Sequence, residues 1–86
     1  MQIDGNLQRR LGERVREKRQ ALGLSQEAYA LSCDLDRTYV SGIERGVRNP
    51  TLQVLLILSR GLGAPIADLV EGIDSPPSKA KSRRVG

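Results

Sequence analysis

Residues 24–30 (LSQEAYA) and 36–46 (DRTYVSGIERG) decide the fold of this 86-residue chain. Ser25 and Asp36 are residue types that cap the first turn of a helix with a side-chain oxygen. Gly46 is of the type that ends a helix, because glycine tolerates the left-handed conformation found there. The stretch therefore predicts two short helices joined by a tight turn.

The contact between these two helices makes further demands on the sequence. Helices that cross steeply need a small side chain where they touch, and Ala30 occupies that position. Asp34 lies in the turn, which needs a positive φ angle that Asp tolerates less readily than Gly. We expect Leu35, Val40 and Ile43 to point inward and to anchor the second helix of the pair.

The outer face of that second helix is polar near its N-terminal end. Arg37 can donate two hydrogen bonds to O6 and N7 of guanine, and Thr38 offers a hydroxyl and a methyl group that suit thymine. An ordinary helical hairpin is the alternative, but the small residue, turn, anchors and polar tip together favour a helix that enters the DNA major groove. The residues expected to contact bases, with Gly42 allowing a close backbone approach, are Arg37, Thr38, Ser41 and Gly42.

Apolar spacing and stop signals predict three further helices. They cover about residues 7–22, 52–62 and 65–70, and Thr51 is a suitable cap for the middle one. No segment alternates apolar and polar residues over the length of a strand. We therefore expect one all-α domain of five helices over residues 1–72.

The net charge of +4 is concentrated at the C-terminal end of the sequence. Residues 1–72 hold ten Lys and Arg against nine Asp and Glu, so this part is nearly neutral. Residues 73–86 contain Pro, Ser and four basic residues, and we expect a disordered basic tail there. If the folded part binds nucleic acid, it must do so with clustered rather than excess positive charge.

Composition excludes several kinds of site. With no His and one Cys, Cys33, the chain lacks the ligands of a conventional zinc site and cannot form an internal disulfide. We expect Cys33 to be a small buried side chain in a cytoplasmic protein. No apolar run reaches the length of a membrane span, and we expect no signal peptide, cofactor or small-molecule ligand.

The same residues resemble a known family. The pattern LSQE at 24–27, Ala30, RTYVSGIERG at 37–46 and RNPTL at 48–52 is similar to the helix-turn-helix domain of phage repressors and their bacterial relatives, the Cro/C1-type (XRE) family. The similarity covers about residues 7–70, and within the family it is greatest to the controller proteins of restriction–modification systems. It implies a five-helix phage-repressor-like fold and binding to double-stranded DNA.

The resemblance also implies roles for individual residues. It agrees with base contacts by Arg37 and Thr38, and it implies a buried ion pair between Arg19 and Glu44. An ion pair also fits the residues themselves, because Glu44 lies beside inward-facing Ile43 and a lone buried carboxylate is costly. The residues that it implies as contacts to the DNA backbone are Ser25, Gln26, Tyr39 and Arg48.

Two positions depart from the family pattern. Asp34 stands where Gly is usual, which strains the turn and adds negative charge near the DNA-facing side. Tyr29 stands where Leu is usual, so that either the packing of its helix changes or its hydroxyl reaches the surface.

The fourth helix carries two apolar stripes. We expect Leu52, Leu55, Ser59 and Leu62 to point inward. A small domain should not expose a second apolar stripe without cause, so we expect the second stripe to form a two-fold dimer interface with the fifth helix. Coverage by the fifth helix or the N-terminal arm is the alternative. The residues expected at the dimer interface are Val54, Ile57, Gly61, Ile66, Leu69 and Val70.

These observations predict a sequence-specific transcriptional regulator that binds a pseudo-palindromic operator as a homodimer. In such dimers the two recognition helices lie about 34 Å apart and enter successive major grooves. An antitoxin-type module that binds a partner toxin as well as DNA is the alternative. An enzyme is disfavoured because no nucleophile–base pair is visible, and an RNA-binding module because stacking aromatic residues are nearly absent.

Overall fold

The computed structural model describes residues 6–74, which form five α-helices and no strand. This confirms the all-α, five-helix prediction. Residues 1–5 and 75–86, and with them most of the predicted basic tail, lie outside the described range. The helices are α1 (Asn6–Ala21), α2 (Gln26–Cys33), α3 (Arg37–Glu44), α4 (Leu52–Leu62) and α5 (Ile66–Val70).

Side-chain caps begin the three central helices. Ser25 Oγ accepts a hydrogen bond of 3.0 Å from the backbone N–H of Ala28 at the start of α2. Asp36 Oδ1 accepts one of 2.8 Å from the N–H of Thr38 at the start of α3. Thr51 caps α4 in the same way. Each cap satisfies a backbone donor that the helix itself leaves unpaired, which is worth about 1 kcal/mol.

The turn between α2 and α3 is built on a left-handed residue. Asp34 has a φ of 58°, and among the described residues it is the single non-glycine with a positive φ. The N–H of the next residue, Leu35, then donates to the carbonyl of Ala30 at 2.9 Å. Asp thus replaces Gly in the turn at a conformational cost of about 1 kcal/mol.

The turn after α3 is a Schellman motif. Gly46 has a φ of 80° and donates to the carbonyl of Ile43, while the N–H of Val47 donates to the carbonyl of Gly42 at 2.9 Å. A Cβ on Gly46 would lie 2.8 Å from the Cα of Arg9 in α1. Both its conformation and its contact with α1 therefore require glycine at this position.

The hydrophobic core draws side chains from all five helices. The expected anchors Val40 and Ile43 of α3 are fully buried, and Leu35 packs beside them. Fully burying a side chain of this size contributes about 1.5–3 kcal/mol. The buried apolar residues are Leu11, Val15, Tyr29, Ala30, Cys33, Val40, Ile43, Leu58, Leu62 and Leu69.

The inward face of α4 differs in part from the prediction. Ser59 and Leu62 are buried as expected, and Leu58 is buried completely. Leu52, which was expected to point inward, is 72% exposed. This expectation is wrong because the core lies under the later turns of α4, and Leu52 is the first residue of the helix.

A close contact joins α2 to α4. Tyr29 is fully buried, and its hydroxyl donates to the carbonyl of Leu58 at 2.6 Å. A Cβ on Gly61 would lie 2.5 Å from Cys33 Sγ and 2.9 Å from Tyr29 Cε1. The tyrosine is thus accommodated by packing against a glycine, and its hydroxyl does not reach the surface.

Two arginines of α1 hold the C-terminal part of the fold. Arg14 donates to the carbonyls of Asp68 and Glu71, each at 2.8 Å, and so binds the end of α5. Arg10 donates to the carbonyl of Ile73 at 2.9 Å. Ile73 packs against the core, one residue beyond the predicted boundary at residue 72.

Candidate nucleic-acid interface

A buried charge network fixes the orientation of α3. Arg19 in α1 binds both carboxylate oxygens of Glu44, through Nε at 2.7 Å and through its terminal nitrogen at 2.9 Å. Both residues are only 7% exposed. The same guanidinium donates to the carbonyl of Leu24, and Gln26 Nε2 donates to Glu44 at 2.9 Å. The ion pair that the sequence predicts is present, and Gln26 extends it to α2.

Every buried polar side-chain atom of this network has a hydrogen-bond partner. Its hydrogen bonds to Glu44 raise the pKa of the Arg19 guanidinium, which therefore stays charged over the whole range in which proteins fold. Removing one partner of a buried ion pair strongly destabilises the folded protein, because the other charge is left buried without compensation.

A glycine that was not among the predicted site residues brings α1 against α3. A Cβ on Gly12 would overlap the carbonyl oxygens of Ile43 and Glu44. The two helices therefore approach backbone to backbone beside the ion pair. The available signal was a glycine inside a predicted helix, where it is unfavourable and therefore points to a close contact.

The N-terminal end of α3 presents polar side chains to solvent. Arg37 and Thr38 are exposed, as expected for residues that contact bases. Ser41 is half-buried, and its Oγ accepts a hydrogen bond of 3.4 Å from Arg45 Nε. Gly42, by contrast, is buried, so the expectation that it lies on the outer face is wrong.

Arg48 is what covers Gly42. A Cβ on Gly42 would lie 2.6 Å from Arg48 Cγ, so the arginine side chain runs directly over the glycine. Its guanidinium carbon lies 5.8 Å from the centre of the Tyr39 ring, within the range of a cation–π interaction. The structure thus brings together Tyr39 and Arg48, two of the residues expected at the DNA backbone.

The start of α2 lies in the same network. Ser25 Oγ is occupied by the cap, and the side chain of Gln26 is held by Glu44. The backbone N–H groups of the first helical turn have no intrahelical partner and favour anions such as phosphate. Glu27 is exposed in that turn and opposes this preference.

The comparisons with known proteins agree with this geometry. A family model described as Helix-turn-helix matches residues 15–69. This chain belongs to the helix-turn-helix family. The match spans the ion pair, both helices of the motif and the last core residue of α5.

Several of its helix-turn-helix relatives are controller proteins. Control protein C.BamHI of Bacillus amyloliquefaciens is 42% identical over 70 residues, covering 80% of this chain and 86% of that protein. The crystal structure of the restriction–modification controller protein C.AhdI from Aeromonas hydrophila has a TM-score of 0.70 at 46% identity, covering 71% of this chain and 92% of that one. The resemblance to controller proteins is thereby confirmed.

A third relative was solved with DNA. The controller protein C.Esp1396I, as a tetramer in complex with its natural 35-base-pair operator, has a TM-score of 0.70 at 34% identity. The similarity covers 78% of this chain and 88% of that chain.

Six of the basic residues of this helix-turn-helix protein have contrasting surroundings. Arg10, Arg14 and Arg19 of α1 bind carbonyl or carboxylate groups inside the protein and serve the fold. Three other arginines are exposed on α3 and in the segment after it, and the acidic residues Asp34 and Asp36 are exposed in the turn before α3. These three arginines are Arg37, Arg45 and Arg48.

The predicted dimer face is smaller than expected. Leu69 is completely buried in the core, and Gly61 is packed against Tyr29 and Cys33. The expectation for Leu69 is wrong, because the core covers it completely. Gly61 is half-buried, although its Cβ position faces Tyr29 and Cys33. The other four expected residues are also half-buried, with part of their side-chain surface in solvent: Val54, Ile57, Ile66 and Val70.

Among residues 6–74, no helix is long and apolar enough to cross a membrane.

Proposed function

We propose that this chain is a DNA-binding transcriptional regulator of the restriction–modification controller type, which binds a pseudo-palindromic operator as a homodimer. The observation that carries the proposal is the exposed tip of α3, with Arg37 and Thr38 in solvent on a helix fixed by the Arg19–Glu44 pair. A helix held in this way can present donors to base edges without first becoming ordered. The named relatives are controller proteins, and one of them was solved on its operator.

Contacts divide into two classes in this proposal. Arg37 and Thr38 read base edges in the major groove, with Ser41 behind them. The backbone of the DNA is held at two places. These are the start of α2, with Ser25 and Gln26, and the side of α3 that carries Tyr39 and Arg48.

Dimerisation supplies the second half of the recognition surface. The half-buried residues Val54, Ile57, Ile66 and Val70 lie on α4 and α5, whereas the three exposed arginines lie on α3 and the following loop. A two-fold axis through this face leaves both recognition helices able to enter successive major grooves, about 34 Å apart. Because a single domain contacts few bases, binding then depends on the concentration of the protein.

The proposed function requires no active site and no bound group. We infer that it acts in the cytoplasm, without enzymatic activity, metal, cofactor or small-molecule ligand. The chain has no His, its one Cys is buried, and the buried polar side-chain atoms among the described residues all have hydrogen-bond partners within the protein. The relatives named above favour the controller over the antitoxin alternative.

Footprinting on the DNA upstream of the gene for this protein tests the proposal. We expect protection of two half-sites one helical turn apart, or a multiple of it. Arg37→Ala should weaken operator binding by about 1–3 kcal/mol and relax the preference at one base pair, because a bidentate contact to guanine is lost. Arg16→Ala, at an exposed position of α1, is the matched control and should change affinity little.

Two results would contradict different parts of the proposal. Absence of binding to every upstream fragment rejects the function itself. Equal weakening by Arg37→Ala on all sequences, operator and unrelated DNA alike, rejects base reading by this residue.

A further inference from the structure

We propose that Gly42 is a positioning residue for Arg48. The missing side chain on α3 leaves a channel along which the arginine runs, and this places the guanidinium over Tyr39 on the DNA-facing surface. The inference rests on the proposed function, because it concerns the same surface. It assigns to Gly42 a role other than contact with the DNA.

The backbone brings the arginine to this position. The N–H of Val47 donates to the carbonyl of Gly42 in the Schellman motif, at 2.9 Å. The chain therefore doubles back over the last turn of α3 immediately before Arg48. This hydrogen bond fixes where the arginine leaves the backbone, but leaves the direction of its side chain open.

Sterics at Gly42 set that direction. A Cβ there would lie 2.6 Å from Arg48 Cγ, 3.4 Å from Nε and 3.6 Å from Cδ. The distance to Cγ is shorter than any two non-bonded side-chain carbons come to each other. Any residue other than glycine at position 42 would therefore push the methylene groups of Arg48 away. Gly42 has no positive φ, and the conformation of α3 therefore does not require glycine there. Glycine inside a helix is itself unfavourable, and the path of Arg48 is the feature that accounts for it.

The Tyr39 ring holds the other end of the side chain. The guanidinium carbon lies 5.8 Å from the ring centre, and Tyr39 is itself half-buried against the core. Within residues 6–74, Arg48 forms no ion pair that would direct it elsewhere. Gly42 and Tyr39 together restrict an exposed arginine to one direction, which lowers the entropy lost when it binds a phosphate or a base.

The variant Gly42→Ala tests the proposal. Alanine favours a helix more than glycine does, so we expect the melting temperature to stay the same or rise. Arg48 is displaced, and operator affinity falls by about tenfold, as for loss of one charge-assisted hydrogen bond. Arg48→Ala should cause a similar loss. In the Arg48→Ala background, adding Gly42→Ala should change affinity by less than about twofold, because both variants remove the same contact.

A neighbouring arginine provides the matched control. Arg45 is also exposed at the end of α3, and its Nε bonds to Ser41 rather than lying over Gly42. Gly42→Ala should therefore reduce affinity by the same factor with or without Arg45→Ala.

A measurement without DNA separates this proposal from the proposed function. In the free protein, the ring current of Tyr39 should shift the NMR signals of the Arg48 side chain, and Gly42→Ala should abolish the shift. Tyr39→Leu provides a second comparison that leaves Gly42 in place, and the same signals should move toward their ordinary positions.

The proposal is overturned if the ring-current shift survives in Gly42→Ala, or is absent from the unaltered protein. It is also overturned if Gly42→Ala still weakens operator binding by about tenfold in the Arg48→Ala background, since Gly42 itself then meets the DNA. If the unaltered protein binds no operator, the proposed function fails, and the NMR comparison still decides the role of Gly42.

Discussion

Glu44 receives hydrogen bonds from two other helices. Its carboxylate accepts from Arg19 of α1 and from Gln26 of α2, and it belongs to α3. This one side chain therefore fixes the relative orientation of α1, α2 and α3. The exposed tip of α3 depends on this buried carboxylate, although the two lie at opposite ends of the helix.

Replacing Glu44 by Gln should lower the free energy of unfolding by about 3–5 kcal/mol. The guanidinium of Arg19 would be left buried without a counter-charge. Urea denaturation followed by circular dichroism measures the change. Glu13→Gln, at an exposed position of α1, is the control and should stay within about 0.5 kcal/mol. A loss below about 1 kcal/mol for Glu44→Gln would contradict a stabilising role for the ion pair.

Tyr29 and Cys33 should make the protein less stable in alkali. Burial raises the pKa of the Tyr29 phenol above its ordinary value of about 10, and burial also raises the pKa of the Cys33 thiol. The unfolded chain then loses these protons at lower pH than the folded protein does. The contribution of both groups is complete below their unfolded pKa values, and the free energy of unfolding should fall as the pH rises above about 9.

Unfolding curves recorded between pH 7 and pH 11 (about two units on either side of the thiol's ordinary pKa) test this expectation. Tyr29→Phe removes the phenol and should flatten the decline at the upper end of that range. It should also cost about 1 kcal/mol at neutral pH, because the hydrogen bond to Leu58 is lost. An equally steep decline in the Phe variant would show that other groups cause it.

At the scale of the helices, the turns determine how neighbouring helices pack. Gly46 ends α3 with a positive φ and lies against Arg9 of α1, whereas Gly23 ends α1 with a positive φ of 74° in open space. The two glycines share a backbone conformation and differ in their surroundings. Substituting each of them therefore separates the free-energy cost of the left-handed conformation from the cost of the contact with α1.

Gly46→Ala should destabilise the protein by more than Gly23→Ala. Each substitution places a Cβ in the left-handed region, at a cost of about 1–2 kcal/mol. Only Gly46→Ala also pushes a Cβ to within 2.8 Å of backbone in α1, which has to move. Thermal unfolding of both variants measures the difference, and equal melting temperatures would contradict close packing of the α3 turn on α1.

Local signals made the helices predictable, and long-range contacts explain the errors. Ser25 and Asp36 cap helices through neighbours two or three residues away, so their roles follow from the sequence. Gly42 and Leu69 were expected on outer faces, but the Arg48 side chain covers the first and the core covers the second. Which segment packs over a helix depends on the whole fold, and spacing carries no such information.

At the scale of the molecule, α4 and α5 provide the face proposed for dimerisation. Ile57→Lys should convert the dimer to a monomer in sedimentation experiments, because a charge is placed at the centre of that face. Gln20→Lys is the control, since Gln20 is exposed on α1 and belongs to neither α4 nor α5. A dimer that persists in Ile57→Lys rejects the role of this residue.

A second variant guards against unfolding. Ile57 also packs against the core, so its replacement can lower stability for another reason. Ile66→Lys, at the first residue of α5, should give the same monomer with a smaller change in melting temperature. If both variants stay dimeric and folded, another surface must hold the dimer.

The arginines of α1 bear on how this protein is made in the cell. A helix of five residues is too short to be stable alone, and α5 depends on Arg14 at its last carbonyls and on Arg10 beyond them. During synthesis, α1 leaves the ribosome well before the segment that it binds. The face proposed for dimerisation therefore forms late in synthesis, because it includes α5. In the proposed function, a subunit pairs with a second copy after that point, and the time between translation and DNA binding includes this encounter.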